Sequence, residues 1–282
     1  MRLSPFRWLL LGLACPLLAA CLVQSEQPDQ AAQAIGAANL ESIMLTSADP
    51  EDAISYFSRQ TTENPNDIGA RRGLAQSLTR AGRAAEAVVI WRQVLAHPEV
   101  SEEDRVGFAE ALIRAGEWNE ARSVLDQVPP TYETYERYRL EAMLADYAQD
   151  WGRADAFYET AAGMTTRPAS VLNNWGYSKL TRGDHAEAER LFTEAIAYDP
   201  SVFTAKNNLV LARAAQGEFT LPLVNMTQVE RAQLLYTMAL AAIRQDRIDL
   251  GRGLLAEAID THPQYFEAAV ATQRALDSGV RN

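Results

Sequence analysis

Two asparagine pairs, Asn173-Asn174 and Asn207-Asn208, recur at an interval of 34 residues. An Asn side chain carries one acceptor and two donors, so it can pair with the backbone of an extended peptide, and two in series can follow a peptide without reading its side chains. The same residues could equally bond to each other between neighbouring helices. Tyr177 and Arg139 stand close enough in the pattern to add aromatic and polar contacts. Catalytic chemistry has less to build on. His97 and His262 each precede a proline and His185 follows a Gly-Asp turn, so no two share a metal-ligand spacing. No phosphate-cradling glycine loop and no nucleophile motif with a partner base occurs, so neither an enzyme nor a cofactor is expected.

Charge and composition narrow the field further. The chain has 282 residues, 48% apolar and 22% charged, with a formal net charge of −11. Lys179 and Lys206 are its only lysines. An acidic chain without a basic stripe does not suit nucleic acid, whose phosphates supply most of the affinity in such complexes. The first twenty residues have the form of a signal peptide, with Arg2 and Arg7 ahead of the apolar run WLLLGLACPLLAA. Leu18-Ala19-Ala20-Cys21 resembles the bacterial lipobox, in which the cysteine is acylated and becomes the first residue of the mature protein. That resemblance implies a membrane anchor on Cys21. Cys15 lies in the segment that would be removed, so no thiol is left for a disulfide. Leu22 in place of aspartate implies, by the sorting rule of enteric lipoproteins, the outer membrane and a protein facing the periplasm. Residues 21–35 read as a polar tether.

The elements that must position the asparagines come from internal periodicity. In NNWGYSKLTRGDHAEAERLFTEAIAYDP, residues 173–200, Gly176 and Ala188 stand where two helices would pack tightest, Phe192 fills the next layer and Pro200 closes the unit. This spacing resembles the tetratricopeptide repeat. The register recurs at Ala87 and Trp91, at Ala121 and Leu125, at Ala154 and Tyr158, and at Ala53 and Phe57. Ser101 to Asp104 and Thr227 to Glu230 have the form of capping boxes. The resemblance implies an all-α, right-handed superhelix of about six to seven helical hairpins. It also implies that first helices line a concave surface, with Asn174 and Asn208 facing it.

One unit departs from the pattern. The first helix after Pro200 is followed by FTLPLVNMT, residues 219–227, where a second helix belongs. Pro222 opposes helix there, so the segment is expected to be extended. Phe219, Leu221, Leu223, Val224 and Met226 would then cover the orphaned helix, or offer a strand to a partner. The array is expected over residues 36–218, and a last repeat with a capping helix over 228–282. Trp91 and Trp175 read as core residues, whereas Trp118 and Trp151 follow turns and read as braces between paired helices.

Taken in order, lipobox, tether, repeats, the break and the C-terminal run resemble the TadD family, lipoproteins of tight-adherence (Flp, type IVb) pilus systems. The resemblance implies a scaffold that aids assembly or localisation of the pilus secretin, and it brings no catalytic residues. An envelope adaptor that recruits cell-wall hydrolases or other periplasmic proteins is the alternative.

Overall fold

The computed structural model describes residues 39–279, which form two compact units dividing between Asp49 and Pro50. The signal peptide, Cys21 and the tether lie outside the described residues. The first unit contributes a helical segment over 39–46. The second is a tetratricopeptide-type α-solenoid, and the described residues contain no strand. It opens with α1 (Pro50–Glu63), a second helix in the repeat register. Four hairpins follow: α2 (Ile68–Arg80) with α3 (Ala84–Leu95), α4 (Glu102–Ala115) with α5 (Trp118–Leu125), α6 (Tyr135–Tyr147) with α7 (Trp151–Gly163), and α8 (Ala169–Thr181) with α9 (His185–Tyr198). Then α10 (Phe203–Ala215) stands alone, α11 (Gln228–Arg244) pairs with α12 (Ile248–Thr261), and α13 (Glu267–Gly279) packs on α12 as the cap.

The repeat is built from two ladders. Small residues at Ala53, Ala87, Ala121, Ala154 and Ala188 are wholly buried, which lets helices approach closely. Four residues on, Phe57, Trp91, Leu125, Tyr158 and Phe192 fill the space between layers with side chains almost entirely removed from water. Burial of each is worth roughly 2–3 kcal/mol. Glycine is required opposite this second ladder. A Cβ on Gly176 would stand 2.7 Å from the Phe192 ring, and one on Gly73 would stand 2.4 Å from the Phe57 ring.

The turn after each first helix repeats one backbone state. Gly82, Gly116, Gly183 and Gly217 all have positive φ, a left-handed conformation that costs glycine little. In the hairpins α6–α7 and α11–α12 the same state is held by Gln149 (φ 59°) and Asp246 (φ 60°). Both capping boxes form: Ser101 with Asp104 starts α4, and Thr227 with Glu230 starts α11.

The break from 219 to 227 is non-helical. Phe219, Leu221 and Met226 pack on the cluster of Val210, Leu234, Leu235 and Met238, while Val224 packs on the cluster of Leu172, Phe192 and Leu209. Arg247 lies over the Phe219 ring at 4.7 Å. Four of the five expected side chains therefore cover the faces of α10 and α11. Leu223 does not: it is fully exposed at the tip of a tight turn in which the Val224 amide donates to the carbonyl of the buried Pro222 at 2.9 Å.

Two ion pairs, each with one partner almost wholly buried, join successive layers. Arg72 of α2 donates two 2.7 Å bonds to Asp104, which is 2% exposed, and so holds α4 by its capping residue. Burial would raise the Asp104 carboxyl, but Arg72 and the two Ser101 donors outweigh it and keep it below the ordinary range. Lys206 of α10, also 2% exposed, donates at 2.9 Å to Glu230, the capping residue of α11. The helix that restarts after the break is thus fastened to the helix before it.

Candidate functional site

Three first helices, α6, α8 and α10, present successive turns to a cavity of about 450 Å³. From α8 come Asn173, Asn174, Tyr177 and Ser178, and from α10 come Thr204 and Asn208. Met143, Asp146 and Tyr147 enter from α6, and Trp118, Trp151 and Tyr158 from the second helices beside it. Helical spacing on α8 explains its share: residues 173, 174, 177 and 178 lie three and four apart and form one stripe.

Four of the six residues picked from sequence therefore line one cavity. Asn208 is 7% exposed and donates through Nδ2 to Asn173 Oδ1 at 3.1 Å, so this pair spends part of its hydrogen-bonding capacity between helices. Asn174 has only a weak contact, Nδ2 to Met143 Sδ at 3.7 Å, which leaves its amide available to a ligand. Tyr177 is half exposed. The other two residues go elsewhere. Asn207 accepts from Thr237 Oγ1 at 2.8 Å and ties α10 to α11, and Arg139 is ion-paired with Glu110 at 3.1 Å. Neither lines the cavity.

Trp118 and Trp151 correct the sequence reading. Trp118 stacks on Tyr147, with centroids 4.6 Å apart and planes 5° from parallel, and both tryptophans form cavity wall rather than only bracing a hairpin. Arg182 lies over the Trp151 ring at 5.6 Å. Trp91 is core, as its position in the repeat requires. Trp175 is half-buried; its Nε1 donates to Asp155 at 2.6 Å and its ring stacks on Tyr158.

Asp146 is the acidic group of the site, and no sequence motif marks it. Its Oδ2 accepts from the Tyr158 hydroxyl at 2.9 Å and its Oδ1 from Ser178 Oγ at 2.6 Å. Burial pushes its carboxyl above the ordinary range, against these two bonds, which favour the charged form. Burial, then the Asp146 charge, likewise raises the Tyr158 phenol. Asp155, one helix away, has the opposite outcome: burial would raise it, but donors from Trp175, Arg182 and Lys179 hold it below the usual value.

Two of the three histidines serve turns, and His185 is the first residue of α9. His97 Nδ1 accepts from the Glu99 amide and His262 Nδ1 from the Gln264 amide. Among the described residues no group of three or more His, Cys, Asp or Glu is placed to hold a metal ion. No helix among them is long and apolar enough to cross a membrane.

Comparison with known proteins agrees with this architecture. Residues 173–221 match the tetratricopeptide-repeat family. No curated protein matches the sequence. Among solved structures, the APC/C hetero-tetramer Cut9–Hcn1 superposes with a TM-score of 0.61 at 13% identity over 84% of this chain. The chain spans about half (48%) of that protein's length. A tetratricopeptide-repeat protein of Parabacteroides merdae superposes at 0.53 with 14% identity, covering 84% of this chain and 96% of its own. A thermophilic one of Thermus thermophilus superposes at 0.53 with 18% identity, covering 62% and 95%. At these identities the likeness is one of fold.

Proposed function

We propose that this protein is a non-enzymatic scaffold of the bacterial envelope that holds a segment of a partner protein along α6, α8 and α10. The fold is one that ordinarily serves protein–protein interaction. The observation that carries the reading is the cavity itself. It combines exposed aromatic surface with the Asn174 amide, the mixture of apolar walls and few polar groups that suits a bound segment.

The envelope setting rests on sequence. Acylation of Cys21 would anchor the chain, since each buried methylene is worth about 0.8 kcal/mol and several chains hold where one does not. The order of lipobox, repeats and break supports a role in tight-adherence pilus biogenesis, at the outer membrane, with the secretin as partner. Metabolic labelling with a palmitate analogue checks the anchor: wild type takes up label and fractionates with membranes, and Cys21→Ala does neither. A photo-crosslinking amino acid at Tyr177, used in intact cells, tests the partner. Recovery of a secretin supports the pilus role. Recovery of cell-wall hydrolases moves the protein to the adaptor class, and the absence of any crosslink at Tyr177 removes the groove proposal.

A further inference from the structure

Resting on that reading of the groove, we infer that its cavity receives a long basic side chain, arginine or lysine, as the anchor of the bound segment. The walls are aromatic. Tyr147 and Tyr177 are each 55% exposed, Trp118 lies stacked beneath Tyr147, and Trp151 completes the surround. Ring faces carry partial negative charge and attract a cation within about 6 Å. The chain already uses this contact, since Arg182 sits over Trp151 and Lys179 over Trp175.

The cavity also supplies a counter-charge. Asp146 contributes a carboxylate whose two protein bonds, from Tyr158 and Ser178, come from neutral hydroxyls. Each oxygen accepts one of them and keeps further acceptor capacity. Among the described residues, no Arg, Lys or His stands within 4.0 Å of Asp146. Neighbouring carboxylates differ: Asp155 is paired with Arg182 and Lys179, Glu110 with Arg139 and Arg114, and Asp104 with Arg72. Arg182, held over Trp151 and paired with Asp155, acts on Asp146 only through space, so a cation from a partner would be the first to meet this carboxylate at ion-pair distance, and burial holds the carboxyl above its ordinary range despite Arg182. Charge complementarity points the same way, since a chain of net charge −11 disfavours an acidic segment. Alongside the anchor, the Asn174 amide is placed to bond the segment's backbone.

The test selects peptides from a random display library on the purified soluble chain that starts after Cys21, then measures affinity by fluorescence anisotropy. Selected groove binders are expected to share one arginine or lysine. Replacing it with methionine weakens binding about tenfold, the scale of a partly desolvated ion pair with a cation–π contact. Asp146→Asn, which can keep both hydroxyl partners, weakens the basic peptide similarly and leaves the methionine peptide unchanged. Thermal melting of that variant verifies its fold, and Tyr177→Ala, on an exposed residue, reports whether a peptide occupies the groove. Peptides that need Tyr177 but share no basic residue, or that ignore Asp146→Asn, overturn this inference and leave the groove reading standing. If no selected peptide depends on Tyr177, both fall.

Discussion

At the scale of single residues, Asp146 shows how the solenoid accepts a local cost. A carboxylate held among Tyr158, Ser178 and aromatic rings has its folded pKa raised by burial above the value of about 3.9 expected when unfolded. The folded state therefore binds more protons between those two values. The associated stability is complete below the unfolded pKa and is lost as pH rises through the folded one. Asp146→Asn, which removes the buried charge, is expected to melt at or above the wild-type temperature near pH 7 and to lose that advantage below about pH 4. Melting curves of both proteins across this range check it, and a variant less stable at neutral pH would show that the charge stabilises the fold. Destabilising charge at a cavity wall is a recurring property of binding sites. The asparagines teach a different lesson. Their spacing was visible in the sequence, but Asn208 is partly engaged by Asn173, and Asn207 by Thr237, so identical residue types in identical register divide between holding helices together and facing a ligand.

At the scale of elements, the break and the turns are where the repeat is stretched. The segment from Phe219 to Met226 substitutes for a helix with a bent, non-helical chain whose apolar side chains, Leu223 apart, face two clusters. Leu221→Asp, which forces a charge against the α11 cluster, is expected to cost about 2 kcal/mol or more. Leu223→Asp, on a side chain wholly in solvent, is expected to change stability by less than about 0.5 kcal/mol. Denaturant titrations of the two variants separate these outcomes, and equal losses would mean that Leu223 also packs. The turn at Gln149 gives a second prediction. Four equivalent turns use glycine, while Gln149 carries a Cβ in the left-handed region. Gln149→Gly is expected to stabilise by about 0.5–1 kcal/mol, raising the melting temperature by about 2 °C. A neutral or lower melting temperature would show that this backbone is held without strain. The turn lies between Tyr147 and Trp151, two walls of the cavity, so its geometry also sets their separation.

At the scale of the solenoid from Pro50 onward, each layer touches its neighbours, and stability approximates a sum of layers and interfaces. The interface between α10 and α11 is unusual, because a second helix is missing and the Lys206–Glu230 pair fastens the two sides. Glu230→Ala leaves an ammonium buried without its partner and removes a capping bond, at a cost of about 3 kcal/mol or more. Hydrogen exchange is expected to quicken in α11, α12 and α13 while α2 to α5 keep their protection. Uniform loss of protection along the chain would show that the array unfolds as one unit instead.

The sequence alone determined the helical hairpins, their register, the starts of α4 and α11, the glycine turns and the place of the break. These depend on local causes: caps three residues apart, a small residue and a bulky one four apart, and a proline that opposes helix. It also singled out Asn174 and Tyr177, because a repeat that fixes the core face of a helix fixes the opposite face too. Only the tertiary structure decided that Trp118, Asp146 and Trp151 meet Asn174 and Tyr177 around one cavity, that Asn207 and Arg139 turn to other partners, and that Leu223 points to solvent. The reason is physical. Which side chains converge depends on how each hairpin is rotated against the next, and that rotation is set by packing between residues tens of positions apart, for which no neighbouring residue carries a signal.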